Sequence, residues 1–168
     1  AGLYDSNSQS LALAKTMFME RDLSVPTCFP SLDAMVASEY LDAFLICTPN
    51  FTHRDIFDCV ATSGKPIFLE KPMATTLADA LYLVEQSQHY SAPVQVGMQY
   101  RYKSQYQLAL RAVEAGEVGA VHTISLCEYR PPFLSKVDEW NKFNRFSGGT
   151  LVEKCCHYFD LLNCIAQS

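Results

Sequence analysis

A lysine stands where a short apolar run ends, in the tripeptide Glu70-Lys71-Pro72 that follows residues 66–69. A run ended by two charges and a proline is typical of a buried parallel strand, whose carboxyl end borders the ligand crevice in open α/β sheets. An amine at that position can act as a general acid or base if burial or a nearby positive charge lowers its pKa toward neutrality. The tripeptide alone fits an ordinary strand exit with two surface charges equally well.

A second group of chemically useful residues lies near the end of the chain. Glu153, His157 and Asp160 are spaced so that they share one face of a helix, which we predict from Thr150 onward. The neighbouring positions are apolar, and a polar stripe on a buried helix is costly unless it lines a site or is internally paired. We therefore predict that His157 is functional. The alternative for Glu153 is a capping box with Thr150.

The cysteines do not predict a metal site. Adjacent residues of Cys155-Cys156-His157 point in different directions on a helix, whereas tetrahedral zinc needs spaced ligands. The seven cysteines are an odd number without C-x-x-C spacing, which predicts reduced core thiols and a cytoplasmic location. The cysteines that lie in apolar runs are Cys47, Cys59, Cys127 and Cys164.

The composition is that of a soluble globular protein, with 49% apolar and 18% charged residues among 168. A net charge of -5 argues against a nucleic-acid partner. No window approaches the roughly 18 apolar residues of a membrane span, so no membrane partner is predicted. The chain starts without Met inside a strand-like segment and stops directly after an apolar helical pattern. We therefore expect an interior piece of a longer polypeptide, with any targeting signal outside this sequence.

Short apolar strands alternate with helices over the first hundred residues, which predicts an α/β fold with a Rossmann-like, doubly wound parallel sheet. The predicted strands end at Asp5 or cover residues 41–47, 67–69 and 94–98, and the predicted helices cover residues 8–19, 32–37, 53–63 and 76–89. After residue 98 we predict a helix over 104–115 and a half-exposed antiparallel strand over 121–129. Two domains follow from this change, one over residues 1–97 and the start of an α+β domain over residues 98–168.

The parallel strands bring their polar ends to one side of the sheet. Asp5, at the end of what would be the second Rossmann strand, is placed to hold the ribose hydroxyls of NAD. The diagnostic G-x-G-x-x-G motif is not in the sequence, and we expect it one βα unit upstream of Ala1.

Taken together, the motifs resemble the Gfo/Idh/MocA oxidoreductases, the family of glucose-fructose oxidoreductase and inositol 2-dehydrogenase. The matching segments, in family order and spacing, are Cys47-Thr48-Pro49-Asn50 with His53, Gly64-Lys65-Pro66, Glu70-Lys71-Pro72, Arg101-Tyr102, Gly116-Glu117-Val118-Gly119 and residues 148–157 with Asp160. The resemblance implies a Rossmann domain, a C-terminal α/β domain and a homo-oligomer at full length. In the usual strand order the missing first strand is central, which predicts a gap in the sheet.

The resemblance also implies roles for individual residues. Lys71 would touch both the substrate hydroxyl and the nicotinamide, and His157 would be the acid/base. Glu153 stands where many members carry Asp, and Asp160 would bind a substrate hydroxyl. The remaining cofactor-binding positions would be Thr48, Pro49, Asn50, His53, Glu70 and Arg101, the last also at the substrate junction. The loop from Arg130 to Arg145, with Trp140 and Asn141, would shape substrate specificity.

The implied activity is an NAD-dependent dehydrogenase of a sugar, polyol or related small molecule. His157 would accept the hydroxyl proton, oriented by Glu153 or Asp160, and Lys71 would hydrogen-bond the oxygen on which negative charge develops. Asp5 favours NAD over NADP because its carboxylate would repel a 2′-phosphate. Two alternatives remain open at this point. One is a glycosidase of the same fold that retains NAD, and the other is a non-catalytic Rossmann ligand-binding protein.

Overall fold

A computed structural model describes residues 1–129 and 135–166, and it has the predicted alternation of strands and helices. The strands are β1 (Gly2–Leu3), β2 (Thr27–Cys28), β3 (Phe44–Ile46), β4 (Ile67–Leu69) and β5 (Val94–Val96). The helices are α1 (Ser8–Met19), α2 (Leu32–Val36), α3 (His53–Ala61), α4 (Leu77–His89), α5 (Ser104–Glu114), α6 (Asn144–Ser147), α7 (Gly149–Glu153) and α8 (Cys156–Ala166). Short 3-10 segments cover Asn50–Thr52, Gln99–Tyr102 and Val137–Lys142.

Three helices begin at a side chain that accepts hydrogen bonds from the unpaired amides of the first turn. Asn7 caps α1, Ser31 caps α2 and Thr76 caps α4. The Thr76 hydroxyl accepts from the amide of Asp79 at 3.1 Å, as the sequence pattern predicts. It also donates to the carboxylate of Asp79 at 2.7 Å, so the cap is fixed through both groups.

The parallel strands form two separate sheets. β1 pairs with β2, and β3, β4 and β5 pair in that order. No strand among the described residues joins the two sheets, which matches the predicted gap. Because Ile46 lies opposite Leu69, and Leu69 opposite Val96, three strands end at one edge. The strand β2 was not predicted, because two residues are too few to form an apolar pattern.

The buried apolar core lies between the three-stranded sheet and the helices that cover it. It consists of Leu41, Phe44, Ile46, Phe57, Val60, Ile67, Leu69, Ala74 and Leu83. Alternate residues of β3 and β4 contribute to it, as the period of a strand requires. Full burial of each large side chain stabilises the fold by about 1.5–3 kcal/mol. This core fixes the edge at which the strands end.

Two predictions about the fold and the core are wrong. Residues 121–129 form no strand, because no other strand in the described ranges lies beside them to share ladder hydrogen bonds. Cys47 and Cys127 are exposed rather than core thiols, since Cys47 follows the last residue of β3 and Cys127 lies in that unpaired segment. None of the helices in the described ranges has the length and apolar content needed to cross a bilayer.

Candidate active site

Lys71 and Glu153 lie 82 positions apart in the sequence and meet beyond the carboxyl end of β4. Lys71 is the second residue after β4, and its peptide bond to Pro72 is cis. Its Nζ donates a hydrogen bond to the main-chain carbonyl of Glu153 at 3.0 Å. The structure therefore joins the strand end to the helical segment that carries the other predicted catalytic residues.

The environment of Lys71 lowers the pKa of its amine. Burial is the main cause, and the ammonium of Lys154 adds to the lowering. The carboxylates of Glu70 and Glu153, and the thiolate form of Cys156, act in the opposite direction. An amine with a lowered pKa exchanges its proton more readily near neutral pH.

The predicted helix from Thr150 onward is two helices, because the chain turns at Lys154 and Cys155. The amides of both turn residues bond to the carbonyl of Thr150, at 3.0 and 3.2 Å. In a continuous helix the carbonyl of Glu153 would accept the amide of His157. Here it accepts the Lys71 amine and, at 3.7 Å, the Cys156 thiol. The break thus provides the acceptor that Lys71 uses.

The break overturns two predictions about Glu153. Glu153 is the last residue of α7, whereas His157 lies in the first turn of α8. The two residues therefore do not share one continuous helical face. The alternative capping box is also wrong, since α7 begins at Gly149 and Thr150 lies inside its first turn without capping it. The carboxylate of Glu153 is buried, and its Oε1 lies 3.0 Å from the Nζ of Lys154.

His157 is buried and packs against a tyrosine that the sequence pattern did not single out. Its imidazole lies parallel to the ring of Tyr100, with 4.1 Å between the ring centroids and 3° between their planes. The Tyr100 hydroxyl donates to Oε1 of Glu128 at 3.2 Å. Spacing could not have found this contact, because Tyr100 lies in a short 3-10 segment without a periodic pattern.

Arg101 and Asp160 form a bidentate ion pair between the segment before α5 and helix α8. The Nε of Arg101 donates to Oδ2 of Asp160 at 2.6 Å, and its second nitrogen donates to Oδ1. This pairing raises the pKa of the Arg101 guanidinium. The carboxylate expected to orient His157 or bind a substrate hydroxyl is thus engaged by an arginine that was expected at the cofactor.

The turn after β3 holds three of the residues predicted at the cofactor. The Oγ1 of Thr52 donates to the carbonyl of Pro49 at 2.7 Å and lies 2.8 Å from the hydroxyl oxygen of Thr48. Asn50 is buried, and its Nδ2 has no hydrogen-bond partner among the described residues. A buried amide donor without a partner is costly.

His53 does not lie at a surface that a cofactor could touch. Its side chain is fully buried, with Nε2 3.1 Å from the carbonyl of Thr48 and Nδ1 3.0 Å from the carbonyl of Pro72. The predicted direct contact with the dinucleotide is therefore wrong for this residue, since no atom of it is accessible. His53 instead ties the turn after β3 to the turn after β4. Burial lowers the pKa of its imidazole, against the hydrogen bonds to these carbonyls.

Two acidic residues predicted at the cofactor shape the local backbone. Oδ1 of Asp5 accepts the amide of Asn7 at 2.7 Å, just beyond β1, and Asp5 itself is exposed. Oε2 of Glu70 accepts the amide of Lys71 at 2.7 Å, which fixes the start of the turn after β4.

The described part of the predicted specificity loop packs on the turn after β3. Trp140 lies edge-on to Phe51 with 6.4 Å between the ring centroids, and Phe146, the residue just after the loop, has its ring centroid 4.7 Å from that of Phe51. Asn141 is buried. The first part of the loop, Arg130 and residues 131–134, lies outside the described residues. Within the described ranges, no three His, Cys, Asp or Glu side chains are grouped so that they could hold a metal ion.

Two models of one protein family match the chain. The model of the Gfo/Idh/MocA oxidoreductases with an NAD-binding Rossmann fold matches residues 1–98. The model of the C-terminal alpha/beta domain of the same oxidoreductases matches residues 111–167.

Individual members of this family are similar to the chain in sequence and in fold. Inositol 2-dehydrogenase of Rhizobium meliloti is 29% identical over 131 residues, which cover 78% of this chain and 38% of that protein. The scyllo-inositol 2-dehydrogenase (NAD(+)) of Bacillus subtilis is 30% identical over 124 residues, or 72% of this chain and 34% of that protein. The WlbA dehydrogenase of Bordetella pertussis, in a crystal structure with NADH and UDP-GlcNAcA, superposes with a TM-score of 0.78 at 26% identity. That match covers 98% of this chain and 46% of the other. The chain therefore spans less than half the length of each relative.

Proposed function

Because the chain belongs to the Gfo/Idh/MocA family of NAD-binding oxidoreductases, we propose that the protein is an NAD-dependent dehydrogenase of a sugar, polyol or related small molecule. The observation that carries this proposal is the bond from the Lys71 amine to the main chain of Glu153. It links a strand-end lysine of lowered pKa to the segment that holds a buried histidine. A lysine and a histidine on two adjoining elements are the groups that a carbinol oxidation needs.

The residues at the sheet edge suit a dinucleotide. Thr48, Pro49 and Asn50 follow the end of β3, and the crevice beyond parallel strand ends is where such ligands bind. The nicotinamide, when bound, supplies the hydride acceptor.

His157 and Lys71 have different roles at the substrate hydroxyl. The imidazole of His157 accepts the hydroxyl proton as the carbon loses hydride. The amine of Lys71 donates a hydrogen bond to the same oxygen while negative charge develops there. Each carboxylate near His157 in the sequence has a cationic partner, Lys154 for Glu153 and Arg101 for Asp160. The positive charges of these partners are thus balanced within the site.

Asp5 supports the choice of NAD over NADP. It lies exposed just beyond β1, where a carboxylate can hold two ribose hydroxyls and would repel a 2′-phosphate. Equal dissociation constants for NAD and NADP would contradict this part of the proposal.

The test is NADH formation by the protein at its full natural length, with a panel of inositols and sugars, before and after Lys71→Met. We expect the substitution to lower kcat by roughly 10²–10³-fold, the scale of losing one hydrogen-bond donor to a developing oxyanion. NAD binding should persist. Lys15→Met, at a partly exposed lysine of α1 outside the site, is the matched control and should retain full activity.

Two results would overturn the proposal. Product formation without net reduction of NAD would place the protein among glycosidases that retain the cofactor. Binding of NAD with no turnover of any panel member, and no effect of Lys71→Met on ligand affinity, would favour a non-catalytic binding protein.

A further inference from the structure

Tyr100 is the centre of a cluster of aromatic and charged side chains. Its ring is buried, and the imidazole of His157 lies parallel to it at 4.1 Å. The ammonium of Lys103 lies 3.6 Å from the centroid of the same ring. A stacked ring and an ammonium at these distances cannot share one face, so His157 and Lys103 lie on opposite faces of Tyr100. The ring of Tyr106 adds a nearly parallel contact at 5.4 Å.

The remaining contacts of Tyr100 fix the ring in its own plane. The phenol hydroxyl donates to Oε1 of Glu128 at 3.2 Å and lies 3.5 Å from its Oε2. Tyr158, next to His157 on α8, meets the ring edge-on with 6.0 Å between the centroids. A tyrosine has two side-chain torsions, and contacts at its faces, edge and hydroxyl leave neither free to turn.

We propose that Tyr100 is a positioning residue for His157, because its immobilised ring holds the imidazole plane in the orientation needed for proton transfer. This inference rests on the proposed role of His157 as the acid/base. It assigns to an aromatic face the task that the sequence pattern gave to Glu153 or Asp160. Those carboxylates form ion pairs with Lys154 and Arg101 instead.

The ring also suits both protonation states of the histidine. Neutral imidazole stacks on it as one aromatic ring on another, and imidazolium is attracted to its negative face. The Lys103 ammonium on the far face opposes the positive charge of imidazolium. Stacking therefore keeps the imidazole in place in both its neutral and its protonated form. The ammonium of Lys103 limits how strongly the ring favours the protonated form.

The test compares two substitutions in the full-length protein. Tyr100→Phe keeps the ring and removes only the hydroxyl bond to Glu128, so kcat should stay within about threefold of wild type. Tyr100→Leu removes the stacking face and should lower kcat by about 10²-fold, within the range that a positioned acid or base contributes. The KM for NAD should be unchanged in both. Equal activity of the Phe and Leu variants would overturn the inference.

A double-mutant comparison separates this inference from the proposed function. In a His157→Asn background, Tyr100→Leu should cause no further loss of kcat, because there is no imidazole left to orient. If His157→Asn alone has no effect, the proposed function fails. If His157→Asn abolishes turnover while Tyr100→Leu does not reduce it in the wild-type background, only the inference about Tyr100 fails.

An NMR measurement covers the case in which the Leu variant folds poorly. The ring current of Tyr100 should shift the ring protons of His157 upfield, and the His157→Asn variant assigns the signal. The shift should persist in Tyr100→Phe. Signals of His157 at the position of exposed His89 in the wild-type protein would contradict the stacking and overturn the inference.

Discussion

The two parts of the described chain are stabilised in different ways. In residues 41–83, nine apolar side chains form one buried core beneath a parallel sheet. Among the described residues from 98 to 166, the buried side chains are Tyr100 and Leu161 together with the polar side chains of Asn141, Ser147, Glu153 and His157. The first part therefore depends on burial of apolar area, which is strong and not directional. The second depends on individual stacks, ion pairs and hydrogen bonds, whose directions place the groups of the candidate site.

Removing a core side chain tests the first half of this comparison and has the largest expected effect. Phe57→Ala should lower the free energy of unfolding by about 3–5 kcal/mol, because it removes a fully buried ring and leaves a cavity. Urea unfolding measures the loss. Leu81→Ala, on the exposed side of α4, is the control and should change stability by less than about 0.5 kcal/mol. Similar losses for both variants would show that the core is not where the stability lies.

His53 and Asn50 are buried polar side chains within the apolar part, and the effect of His53 should depend on pH. In the unfolded chain this histidine binds a proton near pH 6.5. Because burial lowers its pKa, the folded chain binds the proton only at lower pH. The contribution to stability should thus be complete above about pH 6.5 and decline as the pH falls below it. His53→Gln should cost roughly 1–3 kcal/mol at pH 8 and reduce this decline. His89→Gln, at an exposed histidine, should leave the decline unchanged.

Each part contains one Arg–Asp ion pair, and comparing the two pairs has the smallest expected effect. Arg101–Asp160 lies in the second part and Arg54–Asp79 in the first, and the Asp side chains are 10% and 29% exposed. Double-mutant cycles with Gln and Asn should give a coupling of about 1 kcal/mol for the bidentate, more buried pair and a smaller coupling for the solvent-screened pair. Equal couplings would mean that the second part does not depend more on its charges than the first.

The same contrast explains how far the sequence predicts the molecule. The strands β3 and β4 were predicted because short apolar runs bounded by turn residues indicate buried strands, and the helix α3 was predicted because its pattern is amphipathic. Capping at Ser31 and Thr76 was predictable for a similar reason, since a cap depends only on residues within one turn. Lys71 was predicted to lie at the carboxyl end of a strand because it follows a short apolar run.

The arrangement of the second part could not be predicted from spacing. A strict helical period from Thr150 to Asp160 places Glu153 and His157 on one face, yet the turn at Lys154 and Cys155 separates them. The stack of Tyr100 on His157 joins positions 57 residues apart through ring orientation, and no sequence pattern encodes that orientation. Segment 121–129 shows the same limit, because alternation predicts a strand only where another strand can pair with it.

The bond from Lys71 to position 153 ends on a main-chain carbonyl rather than on a side chain. Every amino acid offers that oxygen, so the anchor of the lysine places no demand on the residue type at that position. A substitution at position 153 that keeps the backbone in place therefore leaves the acceptor of the lysine intact, and its direct effect falls on the ion pair with Lys154. The anchoring of the lysine and the chemistry of the side chain at position 153 can thus be altered separately by mutation.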